Sequence, residues 1–176
     1  MSTAFIGVLA NLALTLSLIV AVVFGIAQIS AAKKDRRERM TLEALRSFQS
    51  KEFAEMILFT TTTKFPQSNH EWQTWPNDDR IRYIQLMQQM ESLGIALADK
   101  IIDIVLLDKT LGSFIATTWE KYKPFVLDMR EKVPDPFLAE YFQWMAHQID
   151  RRLKENPRKP FFQTEESRSG STWKKK

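Results

Sequence analysis

The chain has 176 residues, of which 44% are hydrophobic and 26% charged, and it carries a formal net charge of +4 with no cysteine. That length leaves room for one small domain beside an anchor and a tail, and the missing cysteine excludes a disulfide framework, a thiolate nucleophile and a zinc–thiolate site. The averages conceal a step: residues 1–32 hold no charged side chain and the following 144 hold all 46.

The first predicted element, residues 4–28, reads AFIGVLANLALTLSLIVAVVFGIA from Ala4 to Ala27. As a helix it would reach roughly 36 Å, enough to cross a hydrocarbon core with some tilt. Small residues at Ser30-Ala31-Ala32 also allow a cleaved signal peptide. Against that reading, residues 1–4 supply no basic n-region, and the apolar run exceeds the usual h-region of about 7–15 residues. The expectation is an uncleaved transmembrane helix. Within it Ala13, Ser17, Ala21 and Gly25 recur every fourth residue as a ridge of small side chains, suited to self-association or docking on another membrane subunit. Lys33, Lys34, Arg36, Arg37 and Arg39 follow at once, with no basic residue before the span. By the positive-inside rule this puts the C-terminal part in the cytoplasm and the N-terminus outside, with the basic cluster at the lipid headgroups.

Residues 33–59 are predicted as this basic juxtamembrane segment and a first cytoplasmic helix, with Leu42, Leu45, Phe48, Phe53, Met56 and Ile57 at helical spacing and a break near Ser50. Residues 60–77, with Pro66, Pro76 and no period, read as a loop whose Trp72 and Trp75 tuck onto the domain. A helical domain over 78–154 begins with Asp78 and Asp79 as cap and first turn, buries Tyr83, Leu86, Met87, Met90 and Leu93, and stops its first helix at Gly94. Asp99 then caps a short segment, Lys100 to Leu107, read as helix although its propensity also suits a strand.

From Thr110 to Lys132 the apolar stripe Leu111, Phe114, Ile115, Trp119, Tyr122, Phe125, Val126 and Met129 predicts an amphipathic helix, bent at Pro124. Asp135-Pro136 opens a last helix whose Phe137, Leu138, Tyr141, Phe142, Met145, Ile149 and Leu153 face the core. Residues 155–176 form a basic tail without periodicity, in which Arg158-Lys159, Phe161-Phe162 and Trp173-Lys174-Lys175-Lys176 suit an anionic membrane surface. The predicted fold is all-α: a transmembrane helix followed by a small cytoplasmic helical bundle.

Chemistry is sparse. His70 and His147 lack the spacing of a zinc site, and no calcium loop, phosphate-binding glycine loop or nucleophile elbow is present. No catalytic residue, metal or cofactor is expected. Trp119, Lys123 and Arg130 near one helix edge form a candidate partner surface, with snorkelling of the cations around a core tryptophan as the plainer reading. The basic residues flank the anchor instead of striping the domain, which excludes nucleic acid as a leading partner.

The segments VVFGIAQ, LRSFQSKEF, ESLGIALADKIID, TTWEKYKPFVLDMR and YFQWMAHQI, in this order after the anchor, resemble a family of bacterial membrane-anchored proteins catalogued as a domain of unknown function. The resemblance covers about residues 15 to 153, with Phe53, Gly94, Trp119, Pro124, Arg130, Phe142 and Trp144 at matching positions. It implies a bacterial inner-membrane origin and one contiguous helical domain, and no activity. The function expected is that of a membrane-anchored interaction or adaptor protein, in one form an accessory subunit of a larger membrane complex. Its partners would be membrane lipid and a protein, or a second copy through the transmembrane helix. The rival is a membrane-tethered enzyme or effector using Asp99, Asp103 and Arg130.

Overall fold

The computed structural model describes residues 3–133, 135–157 and 160–164, and every regular element among them is helical. Helix α1 runs unbroken from Thr3 to Arg46. Among the described residues it is the one helix long and apolar enough, by length and composition, to cross a membrane, and its apolar window is not buried by the rest of the chain. It continues through the basic stretch because no Pro intervenes and Lys34 pairs with Glu38 at 3.9 Å across one turn.

Ser50 ends the run. After a 3-10 turn over Ser47–Gln49 its backbone is extended, and its Oγ accepts the Phe53 N–H at 3.1 Å, capping α2 (Lys51–Thr62). Phe53 and Phe59 of α2 enter the core, whereas Leu42 and Ile57, expected on the apolar face, are exposed; buried Thr41 and Leu45 lie on the α1 face turned inward. The stretch read as a loop over 60–77 holds the last turn of α2 and a short helix α3 (Asn69–Thr74). Six residues are too few to show a period. Tertiary contacts hold α3 instead: the Asn69 N–H donates to Asp128 Oδ2 at 2.7 Å, and Trp72 stacks on Phe125 with ring centroids 4.9 Å apart. Lys132, and after it the Asn69 N–H, hold the Asp128 carboxyl below the usual aspartate range.

Helix α4 (Asn77–Ala98) passes straight through Gly94, the residue expected to end it. Gly94 serves close approach: a Cβ there would lie 2.5 Å from the Tyr141 backbone oxygen. The left-handed residue that ends α4 is Lys100, with φ 59°. Asp99 therefore closes α4 rather than opening a helix, and Asp103 caps α5 (Ile104–Lys132), its Oδ1 accepting the N–H groups of Val105 and Leu106 at 2.9 and 3.0 Å. The segment expected as a separate helix from Lys100 to Leu107 is a link followed by the first turn of α5. Helix α5 starts ahead of Thr110 and continues through Pro124. Helix α6 spans Glu140–Glu155, later than Asp135-Pro136 implies. Its entry is a turn ending at Ala139 with φ 57°, which leaves Phe137 68% exposed instead of in the core. Phe161–Gln163 form a 3-10 turn. Arg158, Lys159 and residues 165–176, expected to dock on a membrane surface, lie outside the described residues.

Helix α6 packs on both α4 and α5. The core between them centres on Tyr83 and Tyr122, stacked at 4.0 Å with neither ring exposed, and ringed by Phe65, Trp72, Phe125 and Phe142. The Tyr122 hydroxyl donates to the Tyr83 carbonyl at 3.0 Å, while the Tyr83 hydroxyl finds no partner among the described residues. Burial pushes both phenols well above their ordinary value, so neither ionises near neutrality. The two hydroxyls should therefore differ on removal. Tyr122→Phe is expected to lose about 1 kcal/mol of unfolding free energy and Tyr83→Phe to lose none or to gain, as read from denaturant unfolding.

Candidate functional site

Where α1 leaves its apolar segment it runs beside the α4–α5 link, and the two enclose a basic cleft of about 430 Å³ lined by Lys33, Arg36, Arg37, Met40, Lys100 and Ile101. Among the described residues no carboxylate lines it, while Glu38 and Asp103 stand on a recess beside it that shares Lys33 and Arg37. Thr41, fully buried, fastens its two walls together: its Oγ accepts the Asp103 N–H at 2.7 Å and donates to the Arg37 carbonyl at 2.6 Å. An adjoining recess is lined by Arg37, Lys100, Asp103 and, from α6, Trp144.

A second, more polar groove of about 540 Å³ separates α2 from α4, with Glu52, Glu55, Met56, Arg82, Gln85 and Gln89 on its walls. Its mixed charge and amide groups can accept a polar segment of another chain.

Of the residues singled out in the sequence, Ala13, Ser17 and Ala21 are exposed along α1, and a Cβ on Gly25 would meet nothing within 4 Å. The ridge is thus not covered by any of the described residues. Lys33, Arg36 and Arg37 turn to the cleft, whereas Lys34 pairs with Glu38 and Arg39 is exposed away from the cleft walls. Trp119, Lys123 and Arg130 do not make a joint surface. Trp119 is 1% exposed and packs edge-on against Phe142, Lys123 reaches Glu120 at 3.9 Å, and Arg130 is used internally. Its Nη2 and Nε donate to the Leu138 carbonyl at 2.6 and 3.0 Å and its Nη1 to Gln143 at 2.6 Å, which ties down the α5–α6 connection.

Asp103 and Arg130 stand near opposite ends of α5, roughly 40 Å apart at helical rise, so with Asp99 they do not converge on one substrate. His70 and His147 are exposed, and no group of three or more His, Cys, Asp or Glu side chains gathers among the described residues.

Sequence reasoning missed Lys100, Ile101, Trp144 and Thr41. Lys100 and Ile101 sit in a segment read as helix, and Trp144 lies in an amphipathic pattern where a half-exposed tryptophan looks like any other polar-edge residue. The signals available were the family resemblance, whose segments include Lys100, Ile101 and Trp144 without assigning them a role, and the Thr41 hydroxyl next to the apolar positions of α1.

The family described as Domain of unknown function (DUF4760) matches residues 15–149 of this chain. No curated protein and no solved structure matches it.

Proposed function

The chain belongs to the DUF4760 family, and for the stretch the family covers we propose a single-pass bacterial inner-membrane protein whose helical bundle faces the cytoplasm and docks a protein partner, as an adaptor or accessory subunit. The observation that carries this reading is α1, whose large apolar side chains from Phe5 to Ile29 are all at least 50% exposed and belong to none of the core. An exposed apolar surface of that extent needs apolar surroundings, and a bilayer supplies them on every side of a helix. The basic residues that follow it support the orientation. The uncovered small-residue ridge and the α2–α4 groove are two places where a partner fits.

Gentle detergent extraction of the tagged full-length chain from its native membrane, followed by native mass measurement, tests the reading. A companion protein in fixed stoichiometry, or a defined homo-oligomer that Ala21→Leu with Gly25→Leu dissociates, is the expected result. A lone chain that leaves the membrane in alkaline wash overturns the anchor, and a lone chain that stays overturns the adaptor role.

A further inference from the structure

We infer that the cleft at the foot of α1 is a binding site for the phosphate of an anionic phospholipid headgroup, with Lys33, Arg36, Arg37 and Lys100 as its donors; this rests on α1 spanning the bilayer.

Charge is the first ground. Four cations face one cleft without a carboxylate on its walls, and none of the four makes an ion pair among the described residues. The acids nearest the cleft stand on the recesses beside it: Glu38, which pairs with Lys34, and Asp103, whose Oδ1 caps the first N–H groups of α5. Like charges gathered in this way repel one another until an anion enters. Arginine guanidinium groups suit the oxygens of a phosphate because their donors form a planar fork.

The backbone is the second ground. Lys100 occupies the left-handed conformation that closes a helix, where glycine is the unstrained choice and another residue costs about 1 kcal/mol. In the fold this lysine brings no ion pair in return. What it gains is position, because the Thr41 hydrogen bonds hold the link against α1 and set Lys100 opposite Arg36 and Arg37.

Depth is the third. Ile29 is the last large apolar side chain of the span, and from it Lys33 lies about 6 Å and Arg37 about 12 Å further along the axis. Helical side chains lean toward the N-terminus, and long basic ones extend their charged ends to the headgroup layer. On the same side of the bundle Ile101 is 43% and Trp144 38% exposed, a branched aliphatic and an indole of the kind that settles at the membrane interface. Headgroup phosphate would then sit among the cations, with Ile101 and Trp144 against the lipid beside it.

The test uses the full chain in nanodiscs of mixed neutral and anionic phospholipid, with lipid retained on release read by native mass spectrometry. Lys100→Gly removes the charge and relieves the backbone, and Arg39→Gln removes one charge outside the cleft. Wild type should retain anionic lipid over neutral lipid. Lys100→Gly should lower that retention roughly fivefold or more while unfolding no more easily, and Arg39→Gln should change it less. Equal losses in the two variants reduce the effect to general surface charge and overturn the site. No preference for anionic lipid in a chain that remains integrated overturns it as well, and leaves the anchor standing. Inorganic phosphate bound with equal strength by the detergent-solubilised chain would reassign the cleft to a soluble phosphate. Failure of the chain to integrate at all would instead remove the anchor on which the site depends.

Discussion

Gly94→Ala should destabilise the bundle by about 3 kcal/mol or more, although helix propensity alone calls for a gain of about 1 kcal/mol at an interior helical glycine. The reason is the crossing of α4 and α6. An added Cβ would lie 2.5 Å from the Tyr141 carbonyl oxygen, 2.6 Å from its carbonyl carbon and 2.9 Å from its Cβ. Two of those atoms are backbone at the start of α6, so no rotamer change clears the space. The helices must separate, and the layer holding Leu93, Phe142 and Met145 loosens with them. Gly25→Ala is the matched control, since nothing lies within 4 Å of its Cβ. Circular dichroism and tryptophan fluorescence in a denaturant series on the detergent-solubilised chain would read both variants, and a stabilised Gly94→Ala would refute the close approach.

Glu91→Ala is expected to cost about 2 to 3 kcal/mol through the same joint. Helix α6 starts with no side-chain cap of its own, because Ala139 precedes it in the left-handed conformation. The first N–H groups of a helix need acceptors, and its positive end favours a negative charge. Glu91, from α4, supplies both: its two carboxylate oxygens accept from Tyr141 and Phe142 at 3.1 and 2.8 Å. Glu91→Gln keeps one acceptor and loses the charge, so its loss should fall between wild type and alanine. Amide exchange at Phe142, measured beside global unfolding, should quicken in the alanine variant. Because Glu91 and Gly94 act on the same turn of α6, the double variant should lose less than the two single losses added together.

Much of the architecture was legible in the order of residues. A charge-free run longer than a bilayer is thick announces its helix without help from any partner, and the break at Ser50 was visible because a serine hydroxyl can cap the next turn from within its own segment. The stripe from Leu111 to Met129 likewise carried α5, since a 3.6-residue period is a local property. The joints were different. Gly94 is at once a good helix terminator and a good point of close approach, and only the path of Tyr141 decides between them. Arg130 offered a charge to a partner in the sequence and is spent on the Leu138 carbonyl in the fold.

The candidate site divides along the same line. Lys33, Arg36 and Arg37 lie within five residues of one another on the α1 wall of the cleft, so composition alone pointed to an anionic surface near them. The opposite wall, Lys100 and Ile101, arrives from far along the chain, when the Asp103 N–H meets the Thr41 hydroxyl and carries Lys100 across. By itself the sequence determined the helical class, the apolar segment and the step in charge, because each follows from the period and polarity of neighbouring residues. The ends of α4 and α6, the burial of Trp119 and the meeting of Lys100 with Arg37 were decided by tertiary structure, because each depends on which distant backbone occupies the adjoining space.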